Sequence, residues 1–316
     1  MFSSPPSCLV VLLCETRSWE LTADEFHLNL LNPLNADLAL CVGDSEREVS
    51  NPFYDSAKYI WRFPEPQDWG DAYEVAAGNR DWERLLTIDK HFFGGIENAA
   101  FQNLGSGAII MFFRYLLGLR LNEENLLDEY DWVIITRSDF RWPTVHPPLE
   151  CLSEKQIYVF DGEQWGGVSD RYIAIPRRWL RKYIEIVDPI FTDPVNLTKR
   201  IKSFLDDDTA DFDYFNPEKF LAFRMKELNI WNNIRWLPYI PFAVRLHGGH
   251  TRWSEGQLDE NLGYFIKYLG EYERSRIVER HIRNQNDWRH YFSKTRGFRL
   301  RRNLNRELKE VVLGRS

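Results

Sequence analysis

The chain has 316 residues, 44% of them hydrophobic, which is enough for one large domain or two closely fused halves. A net charge of −7 argues against a general nucleic-acid binder. Aromatic residues make up 15%, including 12 Trp and 14 Tyr, a stock that suits both a core and a sugar-binding surface.

The charge is unevenly spread. From Arg274 to Lys309 there are twelve Lys or Arg against three acids, a local +9, so the remainder carries −16. The four cysteines, Cys8, Cys14, Cys41 and Cys151, show no CxxC spacing, and three lie in apolar runs. Buried free thiols in a reducing compartment are the simplest account.

The run Cys8–Cys14 predicts a first strand. No basic residue precedes it, Glu15-Thr16-Arg17 follow at once, and it is too short to span a bilayer. A cytoplasmic protein is therefore expected. Thr22, with Glu25 three residues on, predicts a helix start. Asp37–Val42 reads as a second strand ending at Gly43-Asp44, and Lys58–Arg62 as a third. Residues 64–83, rich in Pro, Trp and acids, read as an ordered loop. Ser106–Gly118 is apolar almost all round and predicts a buried helix. Trp132–Thr136 and Gln156–Phe160 read as buried strands. Asn216-Pro217-Glu218 opens a helix through Leu228. Ile234–Leu246 is strand material broken by Pro238 and Pro241, and from Asn261 onward the pattern is helical and increasingly basic. Strands alternating with helices predict an α/β domain with a mostly parallel sheet. Ligands of such sheets bind at the carboxyl ends of strands, which puts Glu15, Thr16, Arg17, Asp44, Arg137 and Asp139 on one rim.

Three segments carry candidate chemistry. In YDWVIITRSDF the apolar strand ends by presenting Arg137 and Asp139. A strand-end carboxylate is a hard-oxygen metal ligand, and a guanidinium grips phosphate through its planar fork. The plain alternatives are a turn-capping Asp or an Arg–Asp ion pair. In WGGVSDR, Trp165 offers a stacking face, Gly166 and Gly167 allow close backbone approach, and Asp170 is placed to act as a general base. The alternative is a Gly-Gly turn whose Asp170 pairs with Arg171. In RLHGGHTRW, His247 or His250 could complete a metal site begun by Asp139, and Arg252 could reach a diphosphate. Ordinary loop histidines are the alternative.

Together these segments resemble a GT-A type glycosyltransferase of the surface-polysaccharide and capsule kind, found in bacteria and large algal viruses. The likeness runs from about residue 7 to 255. It rests on YDWVIITRSDF, DGEQWGGVSDRYIAI, NPEKFL and RLHGGHTRW, the last similar to a His–Gly–Lys/Arg–Trp loop that closes over the donor in some retaining members. The resemblance implies a GT-A-like (Rossmann-like) fold with helices flanking the sheet. Residues 1–145 would form a nucleotide-sugar-binding half, 146–260 an acceptor-binding half, and 261–316 a helical basic extension. It implies transfer from a nucleoside diphosphate sugar to a hydroxyl of a glycan acceptor, in surface polysaccharide or glycoprotein glycan synthesis. Donor contacts fall on Glu15, Thr16, Arg17, Asp44, Arg137, Asp139 and Arg252, and acceptor contacts on Trp165, Gly166, Gly167 and Arg171. Asp170 is the candidate base, with Glu163 and Glu218 in reserve. Asp139 occupies the last position of the family's Asp-x-Asp motif, but Arg137 replaces the first acid. Either Asp139 with His247 or His250 holds Mn²⁺ or Mg²⁺, or Arg137 takes over the neutralising task.

The basic C-terminal segment suits peripheral contact with an anionic membrane, or equally a face folded against the acidic body. Two other classes compete. A non-catalytic nucleotide-sugar or glycan binder would bind without turnover. A metal-dependent nuclease would show salt-sensitive nucleic-acid binding, although no nucleic-acid partner is expected.

Overall fold

A computed structural model of the chain describes residues 5–44, 50–97, 103–207, 214–247, 256–285 and 288. Eleven strands form among the described residues: β1 (Cys8–Cys14), β2 (Asp37–Asp44), β3 (Tyr59–Pro64), β4 (Trp132–Thr136), β5 (Phe140–Arg141), β6 (Ile157–Phe160), β7 (Ile173–Pro176), β8 (Ile234–Leu237), β9 (Phe242–Arg245), β10 (Gln257–Asp259) and β11 (Tyr264–Ile266). Seven of them make one sheet in the order β3-β2-β1-β4-β7-β6-β8. The β3-β2-β1-β4 run and the β6-β8 pair are parallel, whereas β7 lies antiparallel to both β4 and β6. The expected α/β class with a mostly parallel sheet is what forms.

The continuous apolar character of β1 and β4 follows from burial on both faces. Alternation sends Leu9, Val11 and Leu13 into one core and Cys8, Val10 and Leu12 into the other. The first core packs under the Gly107–Glu123 helix, which buries Met111, Phe112, Phe113, Leu116 and Leu117. The second packs under the Trp19–Phe26 helix and its continuation to Leu34. A second, four-stranded antiparallel sheet, β10-β11-β9-β5, sits at the rim. Its β5 follows directly on Asp139 and pairs with β9 through Phe140 and Ala243.

Three expectations need correction. The first helix starts at Trp19, and Thr22 lies inside it, its Oγ1 within 2.6 Å of the Ser138 carbonyl and 3.0 Å of the Ser18 carbonyl. Residues 64–83 are not all loop. Asp68 caps a helix over Trp69–Ala77 by accepting from the Gly70 N–H, and left-handed Gly78 ends it. The stretch after Asn261 is not helical at first, because β10 and β11 form a hairpin edge on β9 before a helix spans Leu269–Gln285. That helix buries Val278 and Ile282 in the second core, and Trp288 donates to the Val145 carbonyl. No described helix is long and apolar enough to cross a membrane.

Candidate active site

The site begins where β1 and β4 stop side by side. Their parallel register pairs Leu12 with Thr136, so Glu15–Arg17 and Arg137–Asp139 emerge together. The Ser138 hydroxyl lies within hydrogen-bonding distance of both the Glu15 and Arg17 carbonyls, at 3.1 and 3.0 Å, and ties the two strand ends. Cys14 closes β1 in left-handed backbone (φ 77°). Strained non-glycine residues of this kind persist where their surroundings fix them, and they gather at functional sites.

Asp139 points into this corner and is almost wholly buried. Arg137 folds back on it bidentately, with Nε 2.8 Å from Oδ1 and a terminal nitrogen 2.6 Å from Oδ2. The Nε of Arg17 adds a third bond to Oδ2 at 3.1 Å. Of the alternatives open for the pair, the Arg–Asp ion pair is the one that forms. Side-chain exposure is 1% for Asp139, 19% for Arg137 and 45% for Arg17, so the carboxylate is inside and the guanidiniums face the opening.

The small sheet brings two more cations to the corner. The Val244 N–H donates to the Asp139 carbonyl, which holds β9 and its final residue Arg245 beside it. Phe265 of β11 pairs with Arg245, and Lys267 follows, its N–H bonded to the Ala243 carbonyl. Burial would raise the Asp139 carboxyl, but Arg137, Arg17 and Lys267 outweigh it and hold it far below the usual carboxylate range. Burial pushes the Lys267 amine down to about 7, Arg137, Arg17 and Arg245 push the same way, and Asp139 opposes them. Arg245 is lowered by burial and by Arg17 and Arg137. The basic groups therefore crowd one another around a single buried carboxylate.

A cleft of about 610 Å³ opens in front of Arg137 and Asp139, lined also by Glu15, Arg17, Ser106 and Asp170. Asp170 comes from the loop that precedes β7. Gln164 shapes that loop, its side chain donating to the Phe160 carbonyl and accepting from the Ser169 N–H. Trp165 takes left-handed backbone (φ 42°), and its carbonyl accepts from Asn216. The Asp170 carbonyl accepts from Arg114, a guanidinium buried within the Gly107–Glu123 helix.

Glu218 joins Asp170 from the first turn of the Pro217–Glu227 helix. Burial and the Asp170 charge raise its carboxyl to about 8, against a smaller pull downward from Arg171 and Arg114. The two acids are thus electrostatic neighbours, and Glu218 keeps its proton at neutral pH.

Several expected site residues sit elsewhere or do other work. Arg171 does not reach outward and does not pair with Asp170. It is buried, both terminal nitrogens bond Glu271, and its guanidinium lies 4.7 Å over the Trp165 ring and 5.1 Å over Tyr268. Gly167 is buried against the Pro217–Glu227 helix rather than offered to a ligand. A Cβ there would stand 2.0 Å from the Glu218 carbonyl oxygen, which accepts from the Val168 N–H. Gly166 is exposed, and Glu163 is half-buried in the same loop. Asp44 ends β2 in an exposed pair with Arg62, and Thr16 is buried. His247 is exposed after β9, while His250 and Arg252 lie outside the described residues.

These residues do not fit a divalent ion at Asp139. Both carboxylate oxygens are engaged by guanidiniums, further cations crowd the spot, and no group of three or more His, Cys, Asp or Glu among the described residues is arranged to hold a metal. Sequence reasoning missed Lys267, Glu271 and Arg114 and left Arg245 unassigned. The one signal for Lys267 was a basic residue closing the apolar stretch Tyr264-Phe265-Ile266.

No protein-family model and no curated protein sequence matches the chain. Among solved structures it is similar to the apo form of mouse xyloside xylosyltransferase 1, with 11% identity and a TM-score of 0.41 over 73% of this chain and 85% of that one.

Proposed function

We propose that this chain is a glycosyltransferase that moves a sugar from a nucleoside diphosphate sugar to a hydroxyl of a glycan acceptor. The observation that carries this is the juxtaposition in one cleft of a cationic corner at the ends of β1 and β4 with the carboxylate of Asp170, whose charge also reaches Glu218. Cleavage of the anomeric carbon–oxygen bond develops negative charge on the diphosphate, and fixed cations aimed at it lower the barrier. Asp170 accepts the proton of the attacking hydroxyl. Glu218, protonated beside it, adds no second negative charge there. Trp165, half-buried next to Asp170, supplies a ring face for the acceptor sugar.

The test is release of nucleoside diphosphate from a panel of UDP and GDP sugars with glycan acceptors, for wild type and Asp170→Asn. Loss of about 10²–10⁴-fold in transfer, with the thermal shift by free nucleotide retained, is expected for removal of a general base. Nucleotide binding with no turnover on any donor would identify a non-catalytic binder. Absence of both would refute the proposal.

A further inference from the structure

We propose that this cleft holds the donor's diphosphate without a divalent ion, through Arg17 and Arg137 at its mouth, with Arg245 and Lys267 behind them. The inference rests on the glycosyltransferase reading of the same cleft and specifies how that cleft recognises its donor. A metal-bridged diphosphate needs carboxylate oxygens turned toward the ligand. Here Asp139 is turned inward at 1% exposure, and Arg137 and Arg17 occupy both its oxygens. Its role is that of an internal counter-ion that offsets part of the guanidiniums' charge. The other acid at the mouth, Glu15, is exposed and lies 3.4 Å from Arg17, so it too faces a cation.

The geometry of supply supports the same conclusion. Arg17 arrives from β1, Arg137 from β4, Arg245 from β9 and Lys267 from the residue after β11. Four separate chain segments thus converge on one carboxylate. Such convergence of like charges costs stability, and burial holds Lys267 in the less charged form. Arg17 and Arg137 both line the cleft, and two guanidinium forks side by side match the paired charges of a diphosphate better than a lone phosphate does. Ser138, which ties Arg17 to the β4 end by its hydroxyl, fixes the spacing between the two forks.

The experiment is calorimetric titration of the full chain with UDP, GDP and UMP, in EDTA and again with Mn²⁺. The expected result is that one nucleoside diphosphate binds in EDTA with an affinity that Mn²⁺ changes by less than about threefold, and roughly tenfold or more above UMP, the value of one further charge-assisted contact. Asp139→Asn gives the opposite sign for the two modes of binding. A metal ligand lost there abolishes binding, whereas removal of an internal counter-ion leaves EDTA binding equal or tighter. Arg137→Met should weaken EDTA binding by roughly tenfold or more on the same basis. Binding that requires Mn²⁺, or is abolished by Asp139→Asn in a variant with a wild-type melting profile, overturns this inference and leaves the transferase intact. No binding of any nucleotide under either condition overturns the transferase reading and this inference with it.

Discussion

Replacing Glu271 by Ala breaks the most deeply buried ion pair described in the molecule. The two side chains are 4% and 1% exposed, and Glu271 accepts from both terminal nitrogens of Arg171. The Arg171 Nε is buried with no hydrogen-bond partner, so the guanidinium relies on this carboxylate and on the rings of Trp165 and Tyr268. Removing one partner of such a pair leaves an uncompensated buried charge and costs about 3–5 kcal/mol. The contacts with the two rings are present before and after the change and do not enter the difference. A loss of this size is a fall in Tm of about 5–8 °C for a chain of this length. The double variant Arg171→Met/Glu271→Leu should recover most of the loss, because apolar groups of similar volume replace the pair without stranding a charge. Urea unfolding at constant m-value measures both. A loss below about 1 kcal/mol for Glu271→Ala, the range of exposed pairs, would show that water reaches the guanidinium and would refute this account of the pair.

Three further outcomes are expected. His146 is buried, its Nδ1–H donating to the Pro147 carbonyl and its Nε2 accepting from the Tyr172 hydroxyl, and burial lowers its pKa to about 4. The unfolded chain therefore binds a proton that the native chain refuses between about pH 6.5 and 4. Stability should fall through that window by up to about 3 kcal/mol, with the His146 ring titrating near 4 by NMR. Glu218 has the opposite sign. Its carboxyl is raised to about 8, so the native state holds the extra proton, and wild-type stability relative to Glu218→Gln should decline as pH rises from about 4.5 to 8 in paired unfolding curves. Gly167→Ala places a Cβ against the Glu218 carbonyl, so the loop must move off the helix. A destabilisation of about 1–3 kcal/mol, with sugar transfer reduced more than nucleotide binding, is the expected pattern in melting and transfer assays.

The long apolar strands were legible because each is a continuous buried run bounded by polar residues, and β1 has the predicted bounds, Cys8–Cys14. The small sheet was not. The strands β5, β10 and β11 have two or three residues each, and too few positions alternate for a period to register; pairing with β9 makes them strands. The Trp69–Ala77 helix hid behind a composition that suggests loop, although Asp68 and Gly78 are ordinary start and stop signals. Three helices between β7 and Asn216, at Arg177–Ile184, Asp188–Thr192 and Pro194–Asp207, also went unread.

The same division explains the site. Arg137 and Asp139 stood out because charge at the end of an apolar run has a local cause that sequence displays. Adjacency then misled in two ways. Asp170 and Arg171 are neighbours, yet the partner of Arg171 is Glu271, one hundred residues on, because the turn that holds both residues sends the Arg171 side chain inward. Asp139, read as half of a metal motif, lies in a corner where Arg137 and Arg17 take its oxygens and where Arg245 and Lys267 arrive from beyond residue 240 on the small sheet. A carboxylate reads as a metal ligand or a counter-ion according to what surrounds it, and its surroundings here are set by strands too short to predict. Arginine at position 137, two residues before Asp139, was the only local trace of that outcome. A guanidinium there adds positive charge beside Asp139 and takes up oxygens that a divalent cation would need.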